Sequence, residues 1–152
     1  MSAAAAAIVD TNVVVASLLT RQAESPVARI LDAMLAAAFP FVLSEALLAE
    51  YRRVLLRPRL MTLHGLAEDE VDALLTDLAQ PAIVLQPTPA GAAAPDPGDQ
   101  HLWDLLGARG DLLLVTGDKR LLHDTAFAGR ILLPEAFCRR VEWARDPDPS
   151  SA

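Results

Sequence analysis

The chain contains one cysteine, Cys138, in 152 residues. A lone thiol forms neither an internal disulfide nor a cysteine-based zinc site, so stability must come from packing, and a reducing compartment is expected. Basic residues are also few. Thirteen Lys and Arg stand against twenty Asp and Glu, for a formal charge of -7, which excludes nucleic-acid binding driven by bulk charge. Long apolar runs are missing. The run from Ala33 to Leu43 is broken by Pro40 and falls short of the roughly 20 residues a membrane span needs. The N-terminal stretch has no basic residue ahead of its alanines and is interrupted by Asp10, Thr11 and Asn12, unlike a secretory signal. A soluble, cytoplasmic protein with no membrane partner is expected. There is no glycine-rich phosphate loop and no repeat at a solenoid period. The three histidines are scattered without metal-ligand spacing, and His101 reads as a surface residue on a helix flank.

What is present is apolar. Hydrophobic residues make up 53% of the chain and charged residues 22%, and a chain of this length buries about 70% of its unfolded surface. One domain over 1–145 is expected, with a flexible tail at 146–152. Short β-branched or Leu runs alternate with helical patterns, which predicts an α/β fold with a parallel sheet. Strands are predicted at Ala5 to Val9, Phe41 to Leu43, Ala82 to Leu85, Leu112 to Val115 and Ile131 to Leu133. Helices are predicted at Val13 to Leu19, Pro26 to Ala38, Glu45 to Leu56, Glu68 to Ala79, Asp99 to Ala108 and Pro134 to Ala144. Gln86 to Gly98, rich in Pro, Ala and Gly, is predicted to be a loop. The first and fourth strands have no polar residue on either face, as central parallel strands covered on both sides do. Trp103 and Trp143 read as packing residues, and Cys138 as a core or boundary thiol.

In an open α/β sheet, ligands bind beyond the carboxyl ends of the strands. Asp10 follows the first strand and Asp118 the fourth, whereas Asp111 precedes its strand and belongs to the opposite end. On the helix from Glu45, the residues Leu47, Leu48, Tyr51, Val54 and Leu55 share one stripe, and Glu50 lies beside it, facing the protein body. Asp99 aligns with Leu102, Trp103 and Leu106, while Asp104 points away. Two acids at strand ends and two on inward helix faces make a hard, oxygen-rich set suited to Mg²⁺ or Mn²⁺. Each also has a purely structural alternative. Asp10 suits a strand-to-helix turn, Asp118 and Asp99 suit helix caps, and Glu50 suits an ion pair with Arg53 or Arg57. Substrate guidance would fall to Arg52, Arg53, Arg57 and Arg59 on one segment, and to Lys119 and Arg120 beside the acids. The arginine segment fits a solvated helix face or an acidic partner equally well.

Five segments carry a resemblance: Asp10-Thr11-Asn12-Val13-Val14, Ser44-Glu45-Ala46-Leu47-Leu48-Ala49-Glu50-Tyr51, Asp96-Pro97-Gly98-Asp99, Val115-Thr116-Gly117-Asp118 and Leu133-Pro134-Glu135-Ala136-Phe137. In this order and spacing the chain resembles the PIN-domain family, in its bacterial branch of toxin components of toxin-antitoxin systems. Gly98 departs from that branch, which often has another acid there, and a shift of this loop would exchange the roles of Asp99 and Asp96. The resemblance implies a three-layer α/β/α fold around a central parallel sheet of about five strands. It also implies a metal-dependent ribonuclease site of Asp10, Glu50, Asp99 and Asp118, with Asn12, Ser44 and Thr116 supporting it. RNA as substrate and an antitoxin protein as partner follow from the same resemblance. The alternative is a PIN-fold module that binds RNA or protein without cutting. Two phosphate-handling rivals are disfavoured: a receiver domain wants an acidic pair after its first strand, and a dehalogenase-type phosphatase wants Asp where Asn12 stands. The apolar content predicts a homodimer or a complex with a partner through the helices Pro26 to Ala38 and Glu68 to Ala79.

Overall fold

The computed structural model describes residues 5–141. Trp143, the last residues of the final helix as predicted, and the tail 146–152 lie outside the described residues. The element order is β1 (Ala7–Val9), α1 (Thr11–Leu19), α2 (Pro26–Leu35), β2 (Val42–Leu43), α3 (Glu45–Leu55), α4 (Pro58–His64), α5 (Glu68–Ala79), β3 (Ile83–Val84), α6 (Gln100–Ala108), β4 (Leu113–Val115), β5 (Ile131–Leu132) and α7 (Pro134–Arg140). Short 3-10 turns cover Pro97–Asp99 and Lys119–His123.

All strand pairs are parallel. β4 lies between β1 and β5, with Val9 opposite Val115 and Val115 opposite Leu132. β2 and β3 pair separately, Val42 opposite Ile83. The expected sheet of about five strands is thus corrected to a three-stranded sheet and a two-stranded one. They meet at one bridge, Ala7 to Phe41, where the Ala7 amide donates to the Pro40 carbonyl at 3.0 Å. Pro40 has no N–H with which to carry that ladder further back along the chain.

Consecutive strand residues point to opposite faces, and all three residues of β1 and of β4 are buried. Both faces of the central strands are therefore covered by helices, which is the three-layer α/β/α arrangement. Val84 on β3 is instead 64% exposed, as suits a strand with a neighbour on one side only. Trp103, Tyr51, Phe41, Phe137 and Met34 are among the largest fully buried side chains. Cys138 is buried on α7, and its thiol donates to the Pro26 carbonyl at the start of α2.

Helix limits follow local chemistry. Ser25 and Ser44 cap α2 and α3 by accepting from the Ala28 and Leu47 amides. α2 stops at Leu35, three residues before its predicted end, because Ala37 takes φ 54° and the Ala38 amide donates back to the Ala33 carbonyl at 2.8 Å. This closure leaves no room for another helical turn. Periodicity does not predict α4, none of whose residues is buried. Its signals are Pro58 in the first turn and Gly65 in the left-handed conformation just past the end, with φ 75°.

Candidate metal and nuclease site

Register sets the site. Val9 and Val115 are opposite one another, and the Asp10 amide donates to the Val115 carbonyl at 2.9 Å. Asp10 and Thr116 therefore leave two adjacent strands side by side. Tyr51 on α3 buries its ring completely and donates its hydroxyl to the Val9 carbonyl, which holds the helix bearing Glu50 against the same strand end. Leu102, Trp103, Leu105 and Leu106 anchor α6 in the core, so the turn before it presents Asp96 and Asp99 on the same side. An open cavity of about 780 Å³ results, lined by Asp10, Glu50, Asp96, Asp99 and Asp118, with Asn12, Arg57 and Arg120 also in its wall.

Asp10 is the most buried of these acids, 6% exposed. Its Oδ1 accepts from the Thr11 amide at 2.8 Å, and its Oδ2 accepts from the Thr116 hydroxyl at 2.8 Å and from Asn12 Nδ2 at 3.3 Å. Burial pushes its pKa up to about 6 despite these donors, and the charges of Asp99 and Glu50 push the same way. Asp99 is also raised, by burial first and then by Asp96, Glu50 and Asp118. Glu50 accepts from the Thr11 hydroxyl at 2.5 Å. Asp118 is held below the usual carboxylate range by hydrogen bonds from Arg120, whose Nε and Nη2 lie 3.0 and 2.8 Å from its two oxygens.

The four acids read from the sequence thus share one cavity, and Asp96 adds a fifth. The structural alternatives hold for three of the four, whereas Asp99 precedes α6 without a side-chain capping bond. Asp10 caps α1, Asp118 caps the turn after it, and Arg53 approaches Glu50 at 3.7 Å. Of the supporting residues, Thr116 touches Asp10, and Asn12 bridges it to the next loop by accepting from the Gly117 amide at 2.9 Å. Ser44 does not line this cavity. Its hydroxyl is committed to capping α3, and it faces a neighbouring hollow with Gln86, His101 and Asp104.

Several expectations change. Arg52 is not at the cavity, because Asp72 and Glu68 hold its guanidinium in ion pairs at 2.8 and 2.9 Å. Lys119 is exposed and outside the lining, whereas Arg57 and Arg120 belong to it. His101 is no surface histidine: its side chain is 19% exposed, and Nε2 lies 3.5 Å from Glu50 Oε2. Its place four residues ahead of Leu105 on a helix with a buried face was the available signal. Asp104 does not point into water but accepts from the Ala90 amide at 2.9 Å and from Gln100 Nε2 at 3.2 Å, pinning the proline-rich loop. Asp111 is confirmed at the far end of β4, where it pairs with Arg109.

The donor set is chemically right for a hard divalent cation. It consists of carboxylate oxygens, and buried acids that raise one another's pKa are relieved by a cation between them. Among the described residues, no three His, Cys, Asp or Glu side chains lie close enough together to hold a metal ion between them. Mg²⁺ keeps several of its own waters and needs only one or two direct carboxylates, so a cavity lined by these acids fits it. The sequence matches the family model described as the PIN domain over residues 6–120, a span that holds all five acids. No curated protein matches the chain.

Proposed function

The chain belongs to the PIN-domain family, whose members are typically nucleases that use divalent metal ions, and from that premise we propose that it is a Mg²⁺- or Mn²⁺-dependent endoribonuclease acting on single-stranded RNA. The observation that carries this reading is the buried Asp10, pKa near 6, in one cavity with Glu50, Asp96, Asp99 and Asp118. Carboxyl groups so placed are costly without a cation. A bound divalent ion there would supply a water of lowered pKa and offset the charge that develops on a phosphodiester.

The residues divide the remaining work. Thr116, the Thr11 amide and Asn12 fix the two oxygens of Asp10, so its direction does not depend on the ligand. Thr11 holds Glu50 toward the same space. Arg57 and Arg120 provide positive charge at the wall, where phosphates would lie. A chain of charge -7 has no extended basic surface for a stiff duplex, and a single strand bends into a recessed acidic cavity more cheaply. The preference for RNA over DNA rests on the family resemblance.

The test is incubation of purified protein and Mn²⁺ with matched labelled single-stranded RNA, single-stranded DNA and duplex DNA, beside Asp10→Asn protein. RNA cleavage by the wild type alone supports the proposal. Faster duplex cleavage, or equal cleavage by Asp10→Asn, overturns it. The rival reading, a PIN-fold binding module without turnover, is favoured by the Asp118–Arg120 pair, which takes up a candidate ligand. It predicts RNA retention without cutting in the same assay. We further propose a toxin role with an antitoxin partner, supported by the five matching segments. Growth arrest on expression, absent for Asp10→Asn, tests it.

A further inference from the structure

The cavity already contains a cation of the protein's own, the guanidinium of Arg120. Its Nε donates to Asp118 Oδ1 at 3.0 Å and its Nη2 to Oδ2 at 2.8 Å, while the Arg120 amide also donates to Oδ1 at 3.0 Å. A carboxylate oxygen has about two lone-pair sites, so Oδ1 is filled and Oδ2 is half filled. Asp118 in this arrangement has one lone pair left for any other partner. The negative charges of Asp96 and Asp99 also draw on the same guanidinium. Arg120 thus stands in for the positive charge that the acid-lined cavity requires.

This contact is easily given up. The Arg120 side chain is 83% exposed, and an ion pair so open to water contributes little to stability. The pair spans two residues in one 3-10 turn, so the guanidinium can swing without moving the backbone. Arg120 itself lines the cavity, so a short swing of the side chain leaves it facing the same space. There a bidentate fork matches the geometry of a phosphate as well as that of a carboxylate.

We infer that Arg120 is a substrate-positioning residue held in reserve on Asp118, and that it turns to the RNA phosphate once Asp118 engages a divalent ion. The inference rests on the nuclease reading above and adds an order to it, with metal before substrate. One side chain thereby has two opposed effects, competing with the metal and favouring the RNA.

The test is titration of metal-free wild type, Arg120→Gln and Arg120→Lys with Mn²⁺ alone, followed by calorimetry, and then KM and kcat for single-stranded RNA. Arg120→Gln is expected to bind Mn²⁺ about threefold more tightly, the size of a lost exposed pair. Its KM for RNA should rise about tenfold through loss of a bidentate phosphate contact, with a smaller change in kcat. Arg120→Lys keeps the charge without the fork and should fall between the two in metal affinity. A residue that merely shaped the turn would not move metal and RNA affinity in opposite directions. Wild-type Mn²⁺ binding with an unchanged or weaker affinity in Arg120→Gln overturns this inference and leaves the nuclease reading standing. No Mn²⁺ binding by the wild type overturns both.

Discussion

Asp10 concentrates the opposing demands on this site. Its carboxyl is buried among other acids and its pKa is raised from 3.8 to about 6. Below pH 3.8 both the folded and the unfolded chain hold the proton. Between 3.8 and about 6 the unfolded chain releases it while the native chain keeps it, so stability falls as pH rises through that window. The full cost above pH 6 is about 3 kcal/mol at 1.36 kcal/mol per pKa step. Urea unfolding of EDTA-treated protein from pH 4 to 7.5 should show that loss, and Asp10→Asn should flatten it and raise metal-free stability at pH 7.5. The same variant is expected to lose RNA cleavage, as is Asp118→Asn. Asp111→Asn, at the opposite end of β4 and paired with Arg109, should retain activity within about twofold. Comparable loss at Asp111 and Asp118 would contradict the assignment of the site to the carboxyl ends of the strands.

At the level of elements, the site depends on how α3 is fixed. The Tyr51 hydroxyl ties α3 to the last carbonyl of β1, beside Asp10. Tyr51→Phe leaves that buried acceptor short of a donor, and a cost of about 1–3 kcal/mol is expected in thermal or urea unfolding. A value near zero would mean that the carbonyl is satisfied otherwise. Ala37 closes α2 with φ 54° while exposed, a conformation that costs an L-residue about 1 kcal/mol or more. Ala37→Gly removes that cost against some gain in unfolded-chain entropy, and a net stabilisation of about 0.5–1 kcal/mol is expected from urea midpoints. Destabilisation by Ala37→Gly would argue against the left-handed closure.

For the whole molecule, a ligand that binds only the folded chain stabilises it by RT ln(1 + [L]/Kd). Mn²⁺ at one hundred times its Kd should therefore add about 2.7 kcal/mol, seen as a higher Tm that EDTA reverses. An unchanged Tm at millimolar Mn²⁺, in protein shown to be metal-free, would count against the site. The homodimer expected from the apolar content is likewise a proposal. Among the described residues, the large apolar side chains left exposed are Leu35, Leu63 and Val84, so most of that content is spent in the core. Light scattering at tens of micromolar decides between monomer and dimer.

The sequence by itself determined the strand positions, because apolar runs on β1 and β4 and the turn residues after them depend on local pattern. It also determined that Asp10 and Asp118 follow strands and that Glu50 sits beside an apolar stripe, since period and direction are properties of one element. α4 escaped because its seven residues carry no buried stripe, only a proline and a glycine at its ends. What the tertiary structure decided is everything that needs two elements at once. Only the register of β1 against β4 makes Thr116 a donor to Asp10, and only the packing of α6 brings His101 near Glu50 and Asp96 into the cavity. Charge choice is decided there too. Arg52 and Arg120 look alike in the sequence, yet α5 supplies acids that bind the first outside the cavity, while the turn after β4 keeps the second at its wall.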